Sequence, residues 1–95
     1  MNTYELTVIL RPSDANDGAR EKVREILEKN KVTIVSEDPW GVRALAYPIK
    51  RQNEGYYDFM IIEASPESIQ SIISSFRLNA SILRHLFVKT QKKSA

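Results

Sequence analysis

The chain has 95 residues, 42% apolar and 27% charged, with a formal net charge of +2 and no cysteine. That is the length and composition of one ordinary globular domain, able to bury roughly 60–65% of its unfolded surface, which argues against disorder along the whole chain. The missing cysteines exclude disulfides, thiolate zinc sites and cysteine nucleophiles together, and no apolar run approaches the roughly 20 residues that a membrane-spanning helix needs.

The opening Met-Asn-Thr-Tyr-Glu has neither the basic start nor the apolar stretch of a signal peptide, so a cytoplasmic protein is expected. Residues 3–10 alternate cleanly, with Tyr4, Leu6, Val8 and Leu10 on one side, and predict a half-buried strand. Pro12 cannot donate to a ladder and ends it. A polar segment rich in Asp, Asn and Gly then leads into a helix expected over 17–30. Its stripe is Ala19, Val23, Ile26 and Leu27, its charged residues (Arg20 and Arg24 among them) face water, and Asn30 is the stop.

A second strand starts at 32–35. Pro39 and Gly41 predict a bulge or loop within it before extended structure resumes over 42–49. Pro48 in mid-strand places it at a sheet edge, where a missing N–H is tolerated. Gln52-Asn53-Glu54-Gly55 supplies turn chemistry, and 56–63 is the returning strand, so residues 42–63 read as a hairpin. Ser65-Pro66-Glu67 starts the second helix, with Ser as N-cap, Pro at the first position and Glu near the positive dipole end. Ile69, Ile72, Ile73 and Phe76 form its stripe, and it ends near Leu78-Asn79. Residues 82–90 are a last strand and 91–95 a flexible tail.

The order is β-α-β-β-α-β, which predicts a ferredoxin-like α+β sandwich: a four-stranded antiparallel sheet with both helices on one face, as a single domain over 1–95. In the last strand Ile82, Arg84, Leu86 and Val88 share one face and Leu83, His85, Phe87 and Lys89 the other. Both sets are apolar enough to be core, so parity stays open. If the first set is the open face, Arg84 stands among exposed apolar residues, as at a partner site.

Nothing in the pattern supports catalysis. His85 is the only histidine, so no triad or metal site forms around it. Glu37 and Asp38 are adjacent and point to opposite sides of a strand. Glycines 18, 41 and 55 never take the spacing of a phosphate loop. No enzyme activity, cofactor, metal or small-molecule substrate is expected. Tyr57 and Phe59 share a face of the third strand, where some RNA-binding relatives of this fold stack bases; without the accompanying basic and glycine pattern, they read as core.

The charge distribution is more informative than its sum. Residues 1–48 carry seven Lys/Arg against eight Asp/Glu, residues 49–95 carry seven against four, and no acid follows Glu67. A local cluster of this kind neutralises phosphates even in a nearly neutral chain. The hairpin adds Arg43, Lys50 and Arg51 interleaved with Trp40, Tyr47 and Tyr56, a combination suited to a protein or RNA partner.

The run from Arg43 to Arg51, Arg-Ala-Leu-Ala-Tyr-Pro-Ile-Lys-Arg, resembles the hallmark of the sixth protein of the bacterial small ribosomal subunit. The likeness extends to the Met-x-x-Tyr-Glu start, Trp40-Gly41, Gly55-Tyr56-Tyr57, Phe76-Arg77-Leu78-Asn79, Ile82-Leu83-Arg84 and Val88-Lys89. The resemblance implies a structural ribosomal protein that binds the central domain of the small-subunit rRNA. It does so as a heterodimer with the eighteenth small-subunit protein, helping to build the platform. By position, Arg43, Lys50, Arg51, Arg84 and Lys89, with Lys92 in the tail, are the expected RNA contacts. Trp40, Tyr47, Ile49 and Tyr56 are the expected partner surface. Asn2, Thr3 and Ala44 stand where members of that family often carry basic residues, which removes possible phosphate contacts. The alternative from another class is a ferredoxin-like regulatory or oligomerisation domain without RNA binding.

Overall fold

A computed structural model describes residues 2–90, with the side chains of all but Asn16 and Asp17. Strand β1 (Asn2–Leu10) lies inside a four-stranded antiparallel sheet of order β2-β3-β1-β4, with β2 (Thr33–Ile49), β3 (Gln52–Ala64) and β4 (Ile82–Thr90). The alternation of β1 is used as its sequence dictates: Tyr4, Leu6, Val8 and Leu10 are buried in one core cluster with Met60 and Ile62 of β3. Helices α2 (Arg20–Lys29) and α3 (Pro66–Arg77) contribute Val23, Leu27, Ile69, Ile72 and Phe76 to that cluster. Both helices therefore cover one face and leave the other open, the ferredoxin-like arrangement.

The first helical segment starts earlier than its polar sequence suggests. A short turn, α1 (Pro12–Asp14), runs through a π-helical turn at Ala15–Ala19 into α2. Pro12 both ends β1 and occupies the first helical position, where its missing N–H costs nothing. The Asp/Asn/Gly cluster is thus absorbed into a wide helical turn, with Gly18 at φ 95°. Arg11 fastens this start to the loop before β4: its N–H donates to Ser81 O (2.8 Å), its Nη1 to Asp14 Oδ2 (3.2 Å), and Ser81 Oγ donates to the same carboxylate (2.8 Å).

Helix α2 ends at Asn30 through two bonds, Lys31 N to Glu28 O (3.0 Å) and Val32 N to Leu27 O (3.1 Å), with Lys31 in the left-handed region at φ 61°. That is a Schellman ending in which lysine takes the place usually held by glycine. The Asn30 side chain adds a bond from Nδ2 to Ile26 O at 2.8 Å. Helix α3 starts as read: Ser65 Oγ accepts from Ser68 N at 3.3 Å and Pro66 follows.

The hairpin keeps the expected edge strand and differs from expectation in its turn. β2 is one continuous edge strand, with register shifts at Ile34/Ser36, at Pro39/Gly41 and between Ala44 and Ile49, so of the two readings of Pro39–Gly41, bulge or loop, it is the bulge that forms. Gly41, at φ 84°, takes a bulge conformation that a side chain would oppose. The turn is Lys50-Arg51, both at positive φ (49° and 66°), and Gln52 to Gly55 already belong to β3. Positive φ at both central positions is what a two-residue hairpin of matching twist demands, and here register overrides residue preference. Gly55 serves close packing instead: a Cβ there would lie 2.3 Å from Ile9 Cγ2.

β4 resolves its own parity with a bulge. Ile9 pairs with Arg84 and Leu10 with Ile82, so Leu83 is the extra residue. Ile82 turns into the core, whereas Arg84, Leu86 and Val88 are exposed on the open face. His85 and Phe87 lie under α3, with ring centroids 5.4 and 6.1 Å from that of Phe76.

Candidate nucleic-acid and partner interface

The long hairpin bends over the sheet far enough to touch β4. Arg84 Nη1 donates to the Tyr47 hydroxyl oxygen, and Lys50 Nζ donates to Ile82 O at 3.3 Å. Two cations that are distant in sequence, one on the turn and one on the last strand, thereby share a surface. Arg51 is exposed beside Lys50 on the same turn. Arg43 stands further down β2, its Nε donating to Trp40 O at 3.4 Å and its guanidinium 5.8 Å from the Trp40 ring centroid.

Lys89 does not join this group. It lies five residues beyond Arg84 with no register shift between them, so it points to the opposite side of the sheet, roughly 16 Å along the strand. Lys92 and the expected tail lie outside the described residues.

The aromatic part of the site is assembled differently from the expectation. Tyr57 and Phe59, read from sequence as core, are on the open face, because Tyr56, Asp58 and Met60 take the helix side. Trp40 lies over both, with ring centroids 6.5 Å from Tyr57 and 6.0 Å from Phe59 and near-parallel planes (20° and 22°). Its Nε1 donates to Asp38 Oδ2 at 3.0 Å. Trp40 and Tyr47 each keep about half of their surface exposed, while Ile49 is half-buried where it pairs with Gln52. Tyr56 stands apart from the other three: it packs against the core with Arg20 over its ring (5.5 Å to the centroid), away from the face that Trp40 covers. Leu86, 57% exposed, and Val88, 45% exposed, complete an apolar open face that sequence left undecided.

On the helix side, Arg20 and Arg24 do not simply face water. Arg24 Nη2 reaches Glu37 Oε1 at 2.5 Å and Arg20 Nη2 reaches Glu37 Oε2 at 3.2 Å, while Arg20 Nε lies 3.6 Å from Asp58 Oδ2. Glu37 does separate from Asp38 across the strand, as its position predicts, but tertiary packing brings it to Asp58, which is 2% exposed. Burial pushes the Asp58 carboxyl up to about 7, helped by its hydrogen bond to Glu37 and by that neighbour's charge, and opposed by Arg20. Glu37 is lowered: burial raises it, but hydrogen bonds from Asp58, Arg24 and Arg20 outweigh that cost. A carboxyl pair with one raised member is often an acid–base device. Here two arginines clamp it between α2, β2 and β3, and its evident role is to fasten them together.

Among the described residues no group of three or more His, Asp and Glu side chains is placed to hold a metal ion. None of their helices is long and apolar enough to cross a membrane.

The family model for ribosomal protein S6 matches residues 3–89. The chain belongs to the ribosomal protein S6 family. Relatives named small ribosomal subunit protein bS6 include that of Clostridium novyi, 37% identical over 95 residues, covering 97% of this chain and all of that one. The protein of the same name from Porphyromonas gingivalis is 36% identical over 98 residues, covering all of this chain and 84% of that one. Among solved structures, 30S ribosomal protein S6 from Thermotoga maritima superimposes with a TM-score of 0.83 at 26% identity, covering 94% of this chain and 87% of that chain. The C-terminal domain of the MgtC protein from Mycobacterium tuberculosis gives 0.64 at 12% identity, covering all of this chain and 94% of that one, and shares the fold alone. The chain is thus a small-subunit ribosomal protein of the S6 family on a ferredoxin-like fold.

Sequence reasoning missed Arg77 and His85 beside Arg84, and the placement of Tyr57 and Phe59 under Trp40. Arg77 carried a signal: it follows the buried Phe76 in the last turn of α3, so it emerges next to the strand that packs on that ring.

Proposed function

We propose that this chain is a structural constituent of the bacterial small ribosomal subunit, acting in the cytoplasm as one ferredoxin-like binding domain. It holds the central domain of the small-subunit rRNA together with the eighteenth small-subunit protein and so aids platform assembly. Arg43, Lys50, Arg51 and Arg84 contact phosphates along the bent hairpin and the start of β4. Lys89, with Lys92 beyond the described residues, adds a separate contact. The partner protein docks on the hairpin at Trp40, Tyr47 and Ile49 and on the neighbouring open face.

The observation that carries this reading is the Tyr47–Arg84 contact, which joins the hairpin cations to Arg84 of β4 in one surface. Phosphate contacts of this kind position a protein on RNA, while shape supplies selectivity. Membership of the S6 family supports the same reading.

The test is co-sedimentation of the purified chain with small ribosomal subunits that lack it, followed against salt. Binding that weakens steeply with salt is expected, and Arg84→Ala with Lys89→Ala should lower the slope by about two charges' worth. A chain that never sediments with the subunit, and instead self-associates through its open sheet face, would overturn the proposal.

A further inference from the structure

Lys50, Arg77 and Arg84 come from three separate elements: the hairpin turn, the last turn of α3 and the start of β4. They nevertheless line one open cavity of about 270 Å³. The volume falls just below the roughly 300–1,000 Å³ of sites for drug-sized ligands, so it suits a small group with its water. Phe76, Ile82 and Leu83 form an apolar floor, and among the described residues no carboxylate lines the walls. Among the described residues the ion pairs engage Arg11, Arg20, Lys22 and Arg24, and none of the three cavity cations.

Two of the three cations, Lys50 and Arg84, are held in place while keeping donors to spare. Lys50 is fixed by its left-handed backbone and by its bond to Ile82 O, which uses one of three ammonium donors. Arg84 is fixed by Tyr47, which takes one donor of its five. Arg77 stands at the C-terminal end of α3, where the helix dipole favours a cation. Three like charges around one space repel one another, and an anion between them converts that repulsion into attraction. A phosphate matches because guanidinium forks bind its oxygens in pairs. His85 also lines the cavity. Burial and the charge of Arg77 hold its imidazole below the usual histidine range, so it offers one donor and one acceptor.

We propose that this cavity seats one phosphate group of an RNA backbone, gripped by Arg77 and Arg84 with Lys50 supplying charge from the hairpin turn. The RNA source rests on the function proposed above; the anion chemistry does not. Arg77 is the residue that the seat adds to the interface.

Two measurements on the full chain test it. The first titrates inorganic phosphate and follows the arginine Nε–H and His85 ring signals by NMR. The second measures binding of small-subunit rRNA at several salt concentrations. Saturable shifts at Arg77, Arg84 and His85 are expected. Arg77→Gln, an exposed position that leaves the core intact, should weaken phosphate binding about tenfold, the effect of one lost charge-assisted bond, and lower the rRNA salt slope by about one. Lys29→Gln, at the end of α2 and outside the cavity lining, should leave the phosphate titration unchanged. Absence of saturable phosphate shifts, with an unaltered rRNA salt slope in Arg77→Gln, overturns the seat and leaves the RNA-binding reading standing. Saturable phosphate binding in a chain that binds no rRNA overturns the RNA source and assigns the cavity to a free phosphate or another phosphoester.

Discussion

The hydroxyl oxygen of Tyr47, near the end of β2, accepts a hydrogen bond from the guanidinium of Arg84 on β4, 37 residues further along the chain and at the opposite edge of the sheet. The contact requires the hairpin to arch across β3 and β1, and the register shift between Ala44 and Ile49 gives β2 the extra length on its outer side. It is exposed, so it contributes little to global stability and much to where the tip sits. Tyr47→Phe should change the urea midpoint by less than the equivalent of about 1 kcal/mol. Amide exchange at residues 46–53 should accelerate markedly, because the tip loses its tether. Unchanged exchange there would show that Lys50 alone holds the tip.

The turn itself trades stability for charge. Lys50 and Arg51 both sit at positive φ, which costs ordinary residues roughly 1–2 kcal/mol each. Lys50→Asn with Arg51→Gly installs the residue pair such a turn prefers. Thermal unfolding should show a gain of about 1 kcal/mol or more. The same variant should bind small subunits more weakly and with a shallower salt dependence. A gain in stability with undiminished binding would remove both cations from the interface.

Asp58 makes stability depend on pH in a stated direction. Its folded value of about 7 lies above the ordinary 3.8, so between those values the native state keeps a proton that the unfolded state has lost. This contribution is fully present below about 3.8 and is lost as pH rises through about 7. Glu37 has the opposite sign: its lowered value gives stability that is present above the ordinary 4.5 and lost as pH falls through the lowered value. His85, also lowered, likewise favours the folded state as pH rises through the histidine range. The comparison of Asp58→Asn with the parent isolates Asp58. Urea midpoints taken from pH 5 to 8 should fall for the parent relative to the variant, and parallel curves would show that Asp58 titrates normally.

Phe76 carries the packing that positions the cavity. It is 1% exposed, stacked near Phe87 and edge-on to His85. Phe76→Ala should cost about 3–5 kcal/mol, as truncations of buried aromatics do, with a matching drop in melting temperature. Its near neighbour Leu78 is 89% exposed, and Leu78→Ala should change stability by less than about 0.5 kcal/mol. Similar losses for the two would place the end of α3 differently from its position here.

β1 was legible from its sequence because its two faces differ in kind: Tyr4, Leu6, Val8 and Leu10 oppose Thr3, Glu5 and Thr7. Ser65-Pro66-Glu67 was legible because capping is local chemistry. β4 was not, since both of its faces are apolar and the bulge at Leu83 reverses their parity partway along. The turn was misplaced onto Gln52–Gly55 because strand register, a property of two paired segments, outweighs the preferences of turn residues. Tyr57 and Phe59 were misplaced because an exposed sheet face can be covered by its own hairpin, here by Trp40.

The sequence by itself determined the order of elements, the sandwich they form, the core stripes of both helices and the family through the run from Arg43 to Arg51. The elements and stripes follow from periodicity and capping, which act over a few residues, and the family from the resemblance of that run. The tertiary structure decided which cations stand together: it joined Lys50 and Arg77 to Arg84, sent Lys89 to the other face, and brought Asp58 to Glu37 beneath two arginines. Charge neighbours across a sheet depend on register, bulges and the arch of one hairpin, and these are set by the packing of the whole chain.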